Sequence, residues 1–126
     1  MIKSHLDRLV WPKAMQLVTC CYELTRHFPD RERFGLSSQL QRAAVSVPAN
    51  VAEGNARRSK PPYLNHLSIA TGSLAEIETH TLIAINLGYI EEVQVESTLK
   101  QLEEVRRMLA GLIRSLEKSE QPRHFE

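Results

Sequence analysis

The sequence predicts an all-α protein, an antiparallel up-down-up-down bundle of four helices that forms a single domain over residues 1–126. Apolar residues recur at spacings of three, four and seven along most of the chain, which is the pattern of a helix with one buried face. The five glycines are few, and the six prolines lie mostly where helices could begin or end. No strand-like alternation, internal repeat or low-complexity segment interrupts this pattern.

The first two helices are expected over residues 12–29 and 38–57. Pro12 suits a first helical turn, where its missing N–H costs nothing. The second helix would take its N-cap from the serines just before it, since a serine side chain can accept a hydrogen bond from the first free backbone N–H groups. Pro48 lies inside this second helix, so a bend is expected there.

The last two helices are expected over residues 60–87 and 92–118. Pro61 and Pro62 fall in the first turn of the third helix, where prolines are tolerated. Gly88 follows its end and suits a left-handed C-cap. With short connections, four helices of this length can pack as a bundle.

The end of the third helix is apolar nearly all round. A helix on the surface of a small bundle needs only one apolar stripe, so the surplus indicates a second buried face made by another copy or another protein. The sequence therefore predicts a homo-oligomer, with Ile85 as a candidate contact. The apolar residues of this segment are Leu82, Ile83, Ala84, Ile85, Leu87 and Ile90.

Two rows of polar residues stand out on the second and third helices. The first row has spacings of four, four, three and four and consists of Arg42, Ser46, Asn50, Glu53 and Arg57. It could be a solvated face with a Glu53–Arg57 pair. Alternatively, Asn50 and Glu53 could point into a joint between helices or subunits and fix its register. The second row consists of His66, Ser73, Glu76 and His80.

Neither row matches a known catalytic arrangement. The Glu76–His80 spacing is one residue longer than the Glu-x-x-His motif of di-iron bundles, and no second helix completes such a set. There is no Gly-rich phosphate loop and no nucleophile on a sharp turn. We therefore expect a protein that is not an enzyme and that has no catalytic, metal-binding or cofactor-binding residues.

The remaining composition indicates a cytoplasmic protein. No window approaches the roughly 20 apolar residues of a membrane span, and charged residues interrupt the N-terminal segment where a signal peptide needs an apolar run. Cys20 and Cys21 are adjacent, a placement that disfavours a disulfide between them. We expect no membrane partner.

A basic cluster is the candidate site for nucleic acid. It comprises Arg57, Arg58 and Lys60, with the aromatic residue Tyr63 close behind. The net charge of +1 gives little long-range attraction, but a symmetric ring would repeat the cluster and could bind by multivalency. Residues 1–63 carry ten Lys and Arg against five Asp and Glu, and residues 64–126 carry six against ten. The basic half could also pair with the acidic half, within or between subunits.

Two stretches resemble a known family. "LSSQLQRAAVSVPANVAEGNARRS" and "YLNHLSIATGSLAEIETHTLIAINLGYI" are similar to the bacterial four-helix bundle proteins called 23S rRNA intervening-sequence proteins, and the resemblance covers roughly residues 10–118. It implies a homo-pentameric ring that is not an enzyme and that serves as a scaffold or accessory factor with an RNA or protein partner. A related branch, the accessory proteins of diversity-generating retroelements, binds nucleic acid. The matched positions, implied to serve packing or assembly, are Arg42, Ser46, Pro48, Asn50, Glu53, Gly54, Gly72 and Glu76.

Overall fold

A computed structural model describes residues 5–119 of the chain, and these residues form an all-α fold. The predicted fold class is therefore confirmed. The four helices are α1 (His5–Thr25), α2 (Leu36–Asn55), α3 (Lys60–Asn86) and α4 (Glu92–Lys118), and a single 3-10 turn (Asp30–Glu32) lies between α1 and α2. Each helix packs against the next one along the chain, and α4 packs against α1. The helices thus form the four sides of a bundle.

Cross-helix contacts show that neighbouring helices run in opposite directions. Between α1 and α2, the Thr25 hydroxyl accepts a hydrogen bond from Gln41 at 3.0 Å near one end of the bundle. At the other end, the Asn55 amide donates to Asp7 at 2.7 Å. Because the residue number rises along α1 while that of its partner falls along α2, the two helices are antiparallel.

The same test applies to α3 and α4. Arg106 Nη2 lies 3.0 Å from Glu78 Oε1 in the middle of this pair, and Lys60 Nζ donates to the Ser119 carbonyl at 2.7 Å near its end. As the α3 number rises from 60 to 78, the α4 number falls. The start of α1, the end of α2, the start of α3 and the end of α4 therefore share one end of the bundle.

The core follows the apolar spacing of the sequence. Every helix contributes residues that are fully or almost fully buried, and Tyr63 is the largest fully buried side chain. In α1 the buried positions recur at three or four residues, as expected for one helical face: Val10, Ala14, Leu17, Cys21 and Leu24.

The bounds of α1 correct the prediction for the first helix. This helix begins at His5 and not near Pro12, which lies inside it, and it ends at Thr25 and not at Pro29. Pro12 removes one backbone hydrogen bond at an exposed position. The turn before Pro12 is nevertheless held in the bundle because Val10 and Asp7 are buried. These tertiary contacts outweigh the local cost of the proline.

The start of α2 uses a different cap from the predicted serines. Gly35 occupies the N-cap position, and no side-chain cap comes from it. Instead, Glu32 in the 3-10 turn accepts a hydrogen bond from the backbone N–H of Leu36 at 3.0 Å. Its second carboxylate oxygen accepts a hydrogen bond from the Tyr89 hydroxyl at 2.7 Å. Glu32 thus links the start of α2 to the connection between α3 and α4.

The hydrogen bonds of Glu32 make part of the free energy of unfolding depend on pH. The backbone hydrogen bond from Leu36, followed by the one from Tyr89, lowers the pKa of Glu32. A lowered folded-state pKa gives stability that is present above the unfolded pKa and is lost as the pH falls through the folded value. We expect Glu32→Gln to lower the urea midpoint at pH 7 but to have much less effect at pH 3. Glu96→Gln, at an exposed site, is the control, and an equal loss at both pH values for Glu32→Gln would contradict this prediction.

The end of α3 confirms the predicted left-handed cap. Gly88 has φ of +79°, and the backbone N–H of Tyr89 donates to the Ala84 carbonyl at 2.9 Å. This is the reverse turn of a Schellman cap, in which a glycine avoids the strain of a positive φ. It directs Tyr89 toward Phe28, whose ring centroid lies 5.7 Å away.

Candidate functional site

The two polar rows of the sequence meet in one seam between α2 and α3. The Ser73 hydroxyl donates to the Ser46 hydroxyl at 2.8 Å. The Asn50 amide nitrogen donates to the Ser46 carbonyl at 2.9 Å, and the Asn50 side-chain oxygen lies 2.9 Å from His66 Nδ1. We call Ser46, Asn50, His66 and Ser73 the polar seam. Its residues are buried or half-buried, so the interpretation of a joint between helices holds for Asn50, which is bonded there to Ser46.

The hydrogen bonds of the polar seam fix the tautomer of His66. Because the Asn50 nitrogen already donates to Ser46, its side-chain oxygen is the acceptor, and His66 Nδ1 must carry the proton. In the neutral ring His66 Nε2 is then an acceptor, and it lies 3.4 Å from Arg57 Nη2. An ordered chain of hydrogen bonds therefore runs from Arg57 through His66 and Asn50 to Ser46.

The outer part of the first row is solvated. Arg57 Nη2 lies 3.0 Å from Glu53 Oε2, and about half of each side chain is exposed. For these two residues the alternative interpretation of a solvated face holds, and such a pair is worth only a few tenths of a kcal/mol. Arg42, at the other end of the row, is also exposed. The row is thus part joint and part surface.

Gly54 lets α2 and α3 approach closely beside the seam. A Cβ atom at this position would lie 3.0 Å from both His66 Cβ and Tyr63 Cδ1, and 3.3 Å from the Tyr63 carbonyl oxygen. These distances are shorter than normal van der Waals contact. The glycine therefore provides space, since any side chain here would force the Tyr63 ring and His66 to shift by a few tenths of an ångström.

A polar groove of about 350 Å³ continues the seam toward the other end of the bundle. We call it the α2/α3 groove, and its lining residues are Gln39, Arg42, Ala43, Ser46, Ser73, Glu76 and His80. His80 Nδ1 is buried and has no hydrogen-bond partner within residues 5–119. A buried polar atom without a partner is costly, and His80 is also one of the residues that line the groove.

A second polar network lies at the opposite end of α2 and gave no signal in the sequence. The buried Tyr63 hydroxyl donates to the Asp7 carboxylate, which also accepts from the Asn55 amide at 2.7 Å. Burial foremost, and then the hydrogen bond to Asp7, raises the pKa of Tyr63 well above its usual value. The three residues come from three helices, and Asp7 is 48 residues before Asn55 and 56 before Tyr63, so no local pattern could have grouped them.

This network corrects the predicted role of Tyr63 in nucleic-acid binding. Its ring is fully buried and cannot stack on a base. Within the basic cluster, Arg57 is paired with Glu53, and the Lys60 ammonium binds the Ser119 carbonyl. Arg58 is exposed, and nucleic-acid binding by the three cationic residues stays a prediction.

Comparison with known proteins assigns the chain to a family. The model of the 23S rRNA-intervening sequence protein family matches residues 7–111, which include the polar seam and the α2/α3 groove. The chain belongs to this family. No curated protein matches it. Among solved structures, this intervening-sequence protein is similar to a protein of unknown function from the S23 ribosomal protein family of Bacteroides thetaiotaomicron. That similarity has a TM-score of 0.79 and 25% identity, and it covers 86% of this chain and 98% of the other.

One candidate assembly residue of this intervening-sequence protein is placed differently from its prediction. Ile85 is half-buried and packs against the core of its own subunit. Its neighbours Leu82, Ile83 and Leu87 are the exposed ones. The prediction of an apolar surplus at this helix end therefore applies to these three residues. Gly72 is exposed, and nothing lies within 4 Å of the position that its Cβ would take.

The described part of this intervening-sequence protein holds no group of three or more His, Cys, Asp or Glu residues that could bind a metal ion. Cys20 Sγ lies 3.4 Å from Gln101 Oε1. Burial, with a smaller contribution from Cys20, raises the pKa of the Cys21 thiol to about 12, so the reactive thiolate is disfavoured. Among residues 5–119, no helix is long and apolar enough to cross a membrane.

Proposed function

We propose that this intervening-sequence protein is a non-enzymatic, homo-oligomeric bundle of the cytoplasm, a closed ring of five copies that serves as a scaffold or accessory factor. One observation supports the proposal most strongly. Large apolar side chains are exposed on α1, α2 and α3 and just after α3, with exposed fractions of 38% for Ile83 and 55% for Leu87. Exposed large apolar side chains grouped on one part of a surface are typical of a site that binds another protein.

The uneven distribution of these side chains favours a specific binding surface and not a general hydrophobicity of the whole surface. On α4, Val93 in the first turn is the exposed large apolar residue, and the rest of its outer face carries charges. On the other three helices, and just after the end of α3, the exposed residues include Trp11, Met15, Tyr22, Val45, Ile69, Leu82, Ile83 and Leu87. One side of the bundle is thus suited to water and another to a partner.

Sedimentation velocity tests the assembly. We expect the wild-type protein to sediment as a multimer, and Ile83→Glu to shift it to smaller species because a charge would be buried in the contact. Val93→Glu is the matched control, since Val93 is exposed but lies on α4. A wild-type protein that remains a monomer at high concentration would contradict the proposal.

The alternative is an RNA-binding accessory module, and one structural observation favours it. The contact between Asn55 and Asp7 brings Arg8 to the end of the bundle that carries Arg57 and Arg58. Three arginines from two separate segments therefore share one end, although the sequence cluster contained only two of them.

Salt dependence tests this alternative. We expect RNA binding to weaken as salt rises, and the double variant Arg8→Ala, Arg58→Ala to reduce the slope by roughly 2 in a plot of log affinity against log salt concentration. Arg33→Ala, at the opposite end of the bundle, should leave the slope unchanged. The absence of binding to single-stranded RNA at low salt would exclude this function.

A further inference from the structure

The exposed apolar residues around α2 divide into two separate patches. The α1 patch consists of Trp11, Met15 and Tyr22, whose spacings of four and seven place them on one helical stripe. Trp11 borders α2 beside Ala52 and Asn55, so this stripe lies along the α1/α2 side of the bundle.

The α3 patch lies on the other side of α2. It consists of Ile69, Gly72, Glu76 and Ile83, and the positions 69, 76 and 83 are two helical turns apart. Glu76 lines the α2/α3 groove, which places the stripe along the α2/α3 side of the bundle. Between the two patches, α2 presents small residues such as Ala49 and Ala52.

The two patches differ in shape. The α1 patch carries three long side chains that project from the helix, each more than 40% exposed. The α3 patch is indented: Gly72 has no side chain and empty space above it, and the α2/α3 groove opens beside it. Projecting side chains fit an indented surface better than they fit one another.

A contact between like patches would cover only one of them. Two α1 patches facing each other would leave every α3 patch in water, and the reverse pairing would leave every α1 patch in water. A contact between unlike patches covers both on each subunit, and it is the head-to-tail type that a closed ring with an odd number of copies requires. We propose that the α1 patch of one copy docks on the α3 patch and α2/α3 groove of the next copy. This inference rests on the proposed assembly.

The polar groups of the two patches support this pairing. His80 lines the groove, and its buried Nδ1 lacks a partner within the described residues. Trp11 and Tyr22 each bring a donor, an indole N–H and a hydroxyl, on an otherwise apolar side chain. The α1 patch of another copy would thus bring the type of group that could give His80 a hydrogen bond after a small shift of its ring.

The positions of the patches also suit a ring. They lie on adjacent sides of the bundle that meet at α2, and such sides stand at roughly a right angle, close to the corner angle of a small closed ring. In this arrangement α2 faces the centre of the ring. The charged outer face of α4 then faces the surrounding water, in agreement with its composition.

Mixing two variants tests the pairing of unlike patches. Met15→Glu disables the α1 patch and Ile83→Glu disables the α3 patch, so each variant alone should sediment as a monomer. In an equimolar mixture, the intact α3 patch of the first can bind the intact α1 patch of the second. We expect a 1:1 heterodimer with the mass of two chains and nothing larger, whereas Val93→Glu should keep the wild-type multimer mass.

The outcomes separate this inference from the proposed function. If the wild-type protein is a multimer and the mixture remains monomeric, while circular dichroism shows both variants folded, the pairing of unlike patches is wrong. If either variant alone keeps the full multimer mass, its patch is not in the contact and the inference is also wrong. A monomeric wild-type protein would instead overturn the proposed assembly.

Discussion

Gly54→Val is expected to lower the free energy of unfolding by about 3 kcal/mol, the upper part of the range for an overpacked interior site. A Cβ atom at this position meets the Tyr63 ring and His66 Cβ at 3.0 Å, and valine adds two methyl groups to that atom. Tyr63 is fully buried, so its ring has no free space to move into. Helices α2 and α3 must separate, which would stretch the hydrogen bond between Asn50 and His66. Urea unfolding at one fixed protein concentration measures the loss, because association would otherwise change the apparent stability.

Gly111→Val is the matched control for this prediction. Gly111 lies in α4, and the nearest atom to its hypothetical Cβ is the flexible end of Arg114 at 3.9 Å. We expect a change within about 1 kcal/mol, since valine has a somewhat better helix propensity than glycine. Equal effects of the two substitutions would show that helix propensity, and not the close approach of α2 and α3, decides the role of Gly54.

Tyr63→Phe is expected to cost about 2 kcal/mol, as for a hydrogen bond to a charged group whose partner stays buried. The substitution keeps the ring in the core but removes the hydroxyl that donates to the buried Asp7 carboxylate. The raised pKa of Tyr63 keeps this hydroxyl protonated at neutral pH. Its contribution is complete below the unfolded pKa of about 10 and is lost only as the pH rises through the higher folded value.

A double-mutant cycle isolates the contact between the two side chains. Asp7→Ala should cost less in the Tyr63→Phe background than in the wild-type protein, because part of its effect is loss of the same hydrogen bond. Ser115→Ala, which removes an exposed hydroxyl on α4, should leave stability nearly unchanged. Strict additivity of the two substitutions would mean that the hydroxyl and the carboxylate do not stabilise each other.

Gly54 of α2 and Tyr63 of α3 lie at the same part of the contact between these helices. The polar seam and the buried network both depend on this part. His66 belongs to the polar seam and Tyr63 to the network with Asp7, and Gly54 contacts both residues. The segment from Asn50 to Asn55 on α2 thus fixes the register of α3 in two ways. Asn50 forms a hydrogen bond with His66, and Gly54 leaves room for the large ring of Tyr63. Since the α3 patch lies on the same helix, this register also sets the surface offered to a neighbouring copy.

The sequence alone determined that four helices form and which two polar rows contain the residues of the polar seam. Apolar spacing of three and four residues predicts helices wherever one face is buried, and Gly88 marks the end of α3 because only a glycine readily adopts its positive φ. The spacing of Ser46 and Asn50 on one helix, and of His66 and Ser73 on another, also follows from the period of the α-helix. These are local properties, because they depend only on residues that are close together in the chain.

Only the tertiary structure decided which groups face one another. Helix α1 begins before Pro12 because residues far along the chain bind Asp7. The cap of α2 comes from Glu32, which also accepts a hydrogen bond from Tyr89. Tyr63 is buried and Ile83 exposed, although both are large residues on the same helix. The rotation of a helix about its own axis depends on what packs against it, and that information comes from residues far away in the chain.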